Sequence, residues 1–224
     1  MAEEDEFDIT ESARVIGCWK GLLDQGQETG VRLKNAVAFC STIAESKHIA
    51  EYFKKTVDAY ITFEKEQGKE LPEFRCEIEH VDGTMDSGLR RERIRWLEAT
   101  ETGEDAACHI LTNARCLAEG VDVPNLDAVL FLQPKKSKVD ITQAVGRVMR
   151  KFEGKQFGYI ILPIVIPAGM TAEQALDDNE TYAVVWDVLK ALRSHDERLD
   201  ARINALPYDK NKAKPVVEIV DGTR

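Results

Sequence analysis

No stretch of the sequence stays apolar for the roughly 20 residues that a membrane-spanning helix needs, so no membrane segment is expected. The acidic start MAEEDEFDIT has no apolar core and does not resemble a secretory signal; the expected location is the cytoplasm. Cysteine is sparse and unpaired. Its five positions, Cys18, Cys40, Cys76, Cys108 and Cys116, form no CxxC pair and show no zinc-ligand spacing. Cys40, Cys76 and Cys108 lie in apolar segments, where a reduced thiol behaves as a small buried hydrophobe, so the thiols are read as structural and no metal site is expected. A cationic excess is also missing. A net charge of −10 argues against a free-standing, high-affinity nucleic-acid binder, because such affinity comes largely from cations that neutralise phosphates. A local basic track is still possible. No GxxxxGK[ST] loop and no DExx-type acidic box appear, so the chain has no recognisable cradle for a triphosphate and its magnesium. Gly68-Lys69 and Gly154-Lys155 lack the upstream glycine, and the wrong residue follows each lysine.

What is present suffices for a sizeable core, since 43% of the residues are hydrophobic. Residues 1–30 are read as a lead-in or a linker that packs onto the domain, with ARVIGCWKGLL able to form a short amphipathic helix through Val15, Ile16, Trp19, Leu22 and Leu23. KNAVAFCST is an apolar strand followed by Thr42 and, three residues on, Glu45, the spacing of a helix-opening capping box. Ile43, Ala50, Phe53 and Val57 mark one face of that helix. RCEIEHV alternates like a strand before the turn signal Asp82-Gly83. A helix over residues 86–99 turns Leu89, Trp96 and Leu97 inward and several arginines outward. ACHILTN and LDAVLFLQP are further strands, separated by a short helical piece and a break at Gly120. A helix holding residues 143–150 precedes the strand FGYIIL, which Pro163 stops or confines to an edge. Strands alternating with helices, several apolar on both faces, indicate a mainly parallel sheet covered on both sides. Beyond residue 168 the apolar residues Tyr182, Val185, Trp186, Leu189 and Leu192 recur at helical spacing and predict a C-terminal helical extension.

The segment QAVGRVMR places Arg147 and Arg150 close together, with Gln143 one turn upstream. Arginine keeps its charge, and its planar fork of donors fits phosphate oxygens in pairs. Read alone, the segment is a solvent-facing helix with Ala144, Val145, Val148 and Met149 packed inward. TNARCLAEGVDVPNLDAVLF, some thirty residues upstream, adds a loop at the carboxyl end of a strand, where parallel α/β sheets bind ligands. The arginines of LRRERIR alternate with Glu92 and suit a solvated, salt-bridged face better than a nucleic-acid track. KKSK, residues 135–138, suits a phosphate-steering loop and an ordinary turn equally. His109 is read as a strand residue satisfied in the core or at its edge, and His48 and His195 as solvent-facing.

The ordered set VAFCST, HVDG, TNARCLAEGVDVP and QAVGRVMR resembles motifs IV, IVa, V and VI of the second RecA-like lobe of superfamily 2 helicases and translocases, over about residues 31–166. The flanks resemble more particularly the large helicases of type ISP restriction-modification systems. The resemblance implies a RecA-like three-layer sandwich over residues 31–167, with a helical extension and tail over 168–224. It makes Arg147 and Arg150 arginine fingers for the terminal phosphates of ATP held by the other lobe. Gln143 would orient that site, Gly120 would permit a sharp turn, and Asp122 would contact or sense the nucleotide. Ser41, Thr42, His80, Gly83, Thr112 and Asn113 would meet a nucleic-acid strand, positioning without reading bases. Met149 departs from the glycine that many relatives carry there, which makes the aim of Arg150 less defined than that of Arg147. ATP and Mg2+ would be bound mainly by a first lobe, on the same native polypeptide or a separate chain. The expected function is thus the second motor lobe of a DNA-dependent ATPase, inactive alone. A non-catalytic RecA-like scaffold and the lobe of an RNA helicase are the alternatives.

Overall fold

The strand expected in KNAVAF forms as β1 (Asn35–Phe39), and the helix after it as α2 (Ile43–Glu66). The structure, a computed structural model, describes residues 2–29, 32–71, 73–99, 106–114, 126–132, 138–148, 150, 155 and 157–163. Gly120, Asp122, Cys116, Met149, His195, residues 135–137 and the expected C-terminal helix lie outside the described residues. The capping box is made as the spacing predicts. Thr42 sits in extended backbone and its side chain accepts from the Glu45 amide at 3.1 Å, while the Glu45 carboxylate accepts from the Ser41 amide at 2.9 Å. The other end of α2 closes on Gly68, whose φ of +79° is a left-handed conformation that suits glycine. The Gly68 and Lys69 amides donate back to the Lys65 and Glu64 carbonyls, satisfying groups the helix would otherwise leave open.

The remaining elements are β2 (Cys76–Asp82), α3 (Ser87–Glu98), β3 (Cys108–Ala114), β4 (Ala128–Phe131), α4 (Lys138–Val148) and β5 (Tyr159–Ile161). The five strands form one sheet in the order β2-β3-β1-β4-β5, every pairing parallel. Strands paired this way cannot be joined by tight turns, and the central strands β1 and β4 are apolar on both sides. Ala36, Ala38, Ile110, Ala128 and Leu130 face one layer of helix, which includes Ile49, Phe53 and Val57 of α2. Val37, Phe39, Leu111, Val129 and Phe131 face the other, made by Leu97 of α3 and by Ile141, Ala144, Val145 and Val148 of α4. The described residues thus build the three-layer α/β sandwich that the resemblance implies. Among them no helix is long and apolar enough to cross a membrane.

The lead-in packs onto the domain as a longer helix than expected. It forms α1 (Ala2–Thr29), and Val15, Cys18, Trp19 and Leu22 are fully buried in the cluster that includes α2. The Trp19 indole N–H donates to the Phe74 carbonyl at 3.2 Å, and its ring meets Tyr60 edge-on with centroids 6.1 Å apart. Small residues opposite, Ala36, Ala38 and Ala128, leave room on the sheet for large helix side chains. The Trp19→Ala variant is expected to lose about 3–5 kcal/mol of stability, read as a lower urea midpoint. A midpoint unchanged from wild type would return α1 to the status of an attached linker.

Candidate functional site

All strands run the same way, so their carboxyl ends share one edge of the sheet. β1 leads to α2 on one face and β4 leads to α4 on the other, which opens a crevice between neighbouring strands at that edge. Ser41 and Thr42 follow β1 here, exposed at the start of α2, and Gly83 and Thr84 follow β2, also exposed. Asp86 then caps α3, accepting from the Gly88 and Leu89 amides at 2.7 and 3.1 Å. Gly83 has no positive φ, and a Cβ added there meets nothing within 4 Å, so its backbone stays open to an approaching group.

The other expected strand-contact residues are internal. Thr112 and Asn113 on β3 are fully buried and His80 on β2 nearly so. The Asn113 amide donates to the Ala38 carbonyl at 3.2 Å, and the Thr112 hydroxyl donates to the Ser46 carbonyl at 2.8 Å. The Ser46 hydroxyl lies 2.7 Å from His80 Nδ1 and 3.1 Å from Thr112 Oγ1. His80 Nε2 lies 2.8 Å from Asp82 Oδ2, while Asp82 Oδ1 accepts from the Thr84 amide at 2.7 Å and from the Thr84 hydroxyl. Lys47 approaches the same carboxylate from α2 at 3.6 Å. Burial pushes the Asp82 carboxyl up, but donation from Thr84 and His80 outweighs it and holds the group well below the usual carboxylate range. A carboxylate only accepts, so Nε2 carries the ring proton on that side. The chain pairs Ser46, His80 and Asp82 at distances seen in hydrolytic triads. The ring nitrogens are reversed, however, and Ser46 is fully buried, so no substrate can reach its hydroxyl. His80, Thr112 and Asn113, expected at a nucleic-acid strand, thus lie buried beneath the exposed turns, their side chains engaged with Ser46, Asp82 and Ala38.

α4 packs Ile141, Ala144, Val145 and Val148 into the sheet, which leaves Gln143 exposed and Arg147 half-buried one turn later. The helix stops at Val148, two residues short of the expected segment. Arg150, beyond the end of α4, is exposed, and its amide donates to the Arg147 carbonyl at 3.2 Å. α4 returns toward the amino end of β5, so its arginine end sits at the sheet edge opposite Ser41 and Gly83. There the Lys155 ammonium donates to the carbonyls of Leu126 at 2.6 Å, Val148, and Arg150 at 3.4 Å. Asp127 accepts from the Lys34 and Asn35 amides at 2.7 and 3.4 Å. The Asn35 side chain bridges the Leu97 carbonyl and the Asp127 amide at 3.2 and 3.0 Å. Burial raises the Asp127 pKa against the pull of those amides, and burial lowers that of Lys155 against the neighbouring carboxylate. Two guanidiniums near one helix end suit an anion with several oxygens. Among the described residues no group of three or more histidine, cysteine or acidic side chains is placed to hold a metal ion.

Residues 31–152, more than half of the chain, match the family described as the helicase conserved C-terminal domain. The chain belongs to that family. The helicase lobe is 43% identical to the ATP-dependent type ISP restriction-modification enzyme LlaBIII, in a structure bound to DNA; the match covers 91% of the lobe and 13% of that chain, with a TM-score of 0.75. It is 26% identical over 193 residues to the putative ATP-dependent helicase IRC3 of Saccharomyces cerevisiae, covering 74% of the lobe and 27% of the relative. Probable helicase A859L of African swine fever virus (Pig/Kenya/KEN-50/1950 isolate) is 42% identical over 89 residues, covering 40% of the lobe and 10% of the relative. The lobe therefore spans about a quarter or less of the length of these three proteins. It is a helicase C-terminal domain, similar to one part of a restriction-modification enzyme.

Sequence reasoning passed over Lys155, Asp127, Asn35 and Ser46. A polar residue directly before an apolar strand, as Asn35 and Asp127 are, was the available signal. Nothing local marks Lys155 or Ser46. On α3 of the helicase lobe the salt-bridged reading holds in part: Arg93 pairs with Glu79 at 2.7 Å, and the Arg91 Nε donates to the Ser87 carbonyl at 3.2 Å. His109 is buried with Nδ1 2.8 Å from the Trp96 carbonyl, as its strand position suggests. The depressed Asp82 carboxyl has a consequence for acid stability. Its folded pKa lies below the unfolded value near 4, so its contribution is full above about pH 4 and is lost as the pH falls below it. Asp82→Asn is expected to lower the urea midpoint at pH 7 and to flatten its decline below about pH 4. An unchanged slope would mean that other carboxylates carry the acid transition.

Proposed function

We propose that this chain is the second motor lobe of a DNA-dependent ATPase, a helicase or translocase of the restriction-modification kind. The observation that carries the reading is α4: its apolar side is sunk in the sheet, while Gln143, Arg147 and, just past its end, Arg150 stand clear of that core. The similarity to an ATP-dependent restriction-modification enzyme bound to DNA supports the choice of DNA over RNA. ATP, held with magnesium chiefly by a first lobe, supplies the terminal phosphoryl group. Arg147 and Arg150 are presented to its oxygens and neutralise the charge that spreads over them in the transition state, an effect worth roughly 10³–10⁵ in rate. Gln143 orients the same site, and Gly120 and Asp122 act from the motif V loop. At the opposite edge Ser41, Thr42, Gly83 and the neighbouring Thr84 meet phosphates of the strand, while His80, Thr112 and Asn113 hold those turns from within. Closing and opening against the first lobe moves this edge along the DNA. The lobe works in the cytoplasm, and by itself it does not turn over ATP.

The purified chain is expected to hydrolyse no more ATP than its Arg147→Ala variant, with or without single- or double-stranded DNA. Joined with the lobe that carries the phosphate loop, it is expected to give DNA-stimulated turnover that Arg147→Ala lowers by roughly 10³-fold or more. Turnover of the joined protein that ignores Arg147→Ala would instead identify a non-catalytic scaffold. Gly83→Asp places an anion at the exposed strand-contact turn, where an added Cβ meets nothing within 4 Å. It is expected to raise the DNA concentration for half-maximal stimulation about tenfold with the melting temperature unchanged, and stronger stimulation by RNA would reassign the substrate.

A further inference from the structure

The end of α4 is held by a device that no sequence motif announces. Lys155 has three ammonium protons, and its three acceptors are all main-chain carbonyls: Leu126 before β4, Val148 at the last residue of α4, and Arg150. One of these carbonyls belongs to the residue directly after Arg147 and another to Arg150 itself. A cation at this point also opposes the negative end of the helix dipole. The chain then turns into β5 through Gly158, packed so closely that a Cβ there would stand 2.9 Å from the Val148 carbonyl carbon and 3.2 Å from its Cγ2. The seat itself is fixed. The Asp127 amide donates to the Asn35 carbonyl, the Tyr159 amide donates to the Asp127 carbonyl, and the Asn35 side chain reaches the Leu97 carbonyl. The starts of β1, β4 and β5 and the end of α3 thus form one hydrogen-bonded floor, and Lys155 fastens the end of α4 to it.

We propose that Lys155 is a positioning residue for the arginine pair, its ammonium and the close approach at Gly158 setting the direction in which Arg147 and Arg150 leave the end of α4. The proposal rests on the reading that these arginines meet the terminal phosphates. The body of α4 is anchored by Ile141, Ala144, Val145 and Val148 in the core, so removing the clamp loosens its last turn without releasing the helix. A misplacement of about 1 Å in a catalytic group can cost on the order of 100-fold in rate. Ground-state binding of ATP, made mainly by the other lobe, is left nearly alone, and the loss falls on kcat rather than KM.

The test uses the joined two-lobe ATPase with DNA, comparing Lys155→Met, Lys155→Arg and Arg147→Ala by kcat, KM for ATP and melting temperature. The expected result is a fall in kcat of about 10- to 100-fold for Lys155→Met with KM within about twofold. Lys155→Arg, which keeps the charge and the donors, should recover most of that loss. If Arg147→Ala abolishes turnover while Lys155→Met keeps wild-type kcat, the clamp is overturned and the arginine reading survives. A Lys155→Met variant that loses kcat only together with a large fall in melting temperature, unrescued by arginine, shows a merely structural lysine and also overturns the clamp. If Arg147→Ala itself leaves turnover unchanged, the arginine reading fails and the clamp falls with it.

Discussion

A parallel sheet covered by helices on both faces has no place for an unpaired polar group except at its two ends. Buried backbone donors and acceptors must be paired, and the ladder does this only along the strands. Where the strands begin and stop, amides and carbonyls come free next to an apolar interior. The lobe meets this constraint with two hydrogen-bonded seams, one at each edge. Ser46, His80, Asp82, Thr84 and Thr112 join α2, β2 and β3 at the carboxyl edge. Asn35, Asp127 and Lys155 join β1, β4, β5 and the ends of α3 and α4 at the amino edge.

The seams also divide the proposed labour. Above the carboxyl-edge seam stand the exposed turns after β1 and β2; beside the amino-edge seam stands the arginine end of α4. In the proposed function strand contact and phosphate contact would be separated by the length of the sheet, with an apolar body linking them. Such a body suits a motor lobe, because a force generated at one edge is delivered at the other only if the material between does not deform. α1 belongs to that body: Trp19 and its neighbours complete the layer over the sheet that α2 alone would leave partly open.

The resemblance to helicase motifs is legible because those motifs lie at strand ends, where sequence pattern and topology coincide. An apolar run followed by Ser41-Thr42 and Glu45 can only be a strand, a turn and a capped helix. The arginine helix is likewise legible from its inward Ala144, Val145 and Val148. The burial of His80, Thr112 and Asn113 is not. Polar residues at a strand's carboxyl end read as ligand contacts, and only the arrival of Ser46 from α2 and Ala38 from β1 takes up their hydrogen bonds.

Local pattern by itself determined the order of strands and helices, the apolar faces, the cap of α2 and the place of Arg147 on α4. All of these depend on residues within a turn or two of each other, whose period and capping chemistry are written in the chain. The tertiary structure alone decided which polar side chains are exposed, that α1 enters the core, and that Lys155 reaches the end of α4. Those outcomes depend on groups brought together from distant parts of the chain, as Lys155 is with Leu126 and Asn35 with Asp127. Each such pairing exists only because the sheet closes in the order β2-β3-β1-β4-β5, which places the first, fourth and fifth strands side by side.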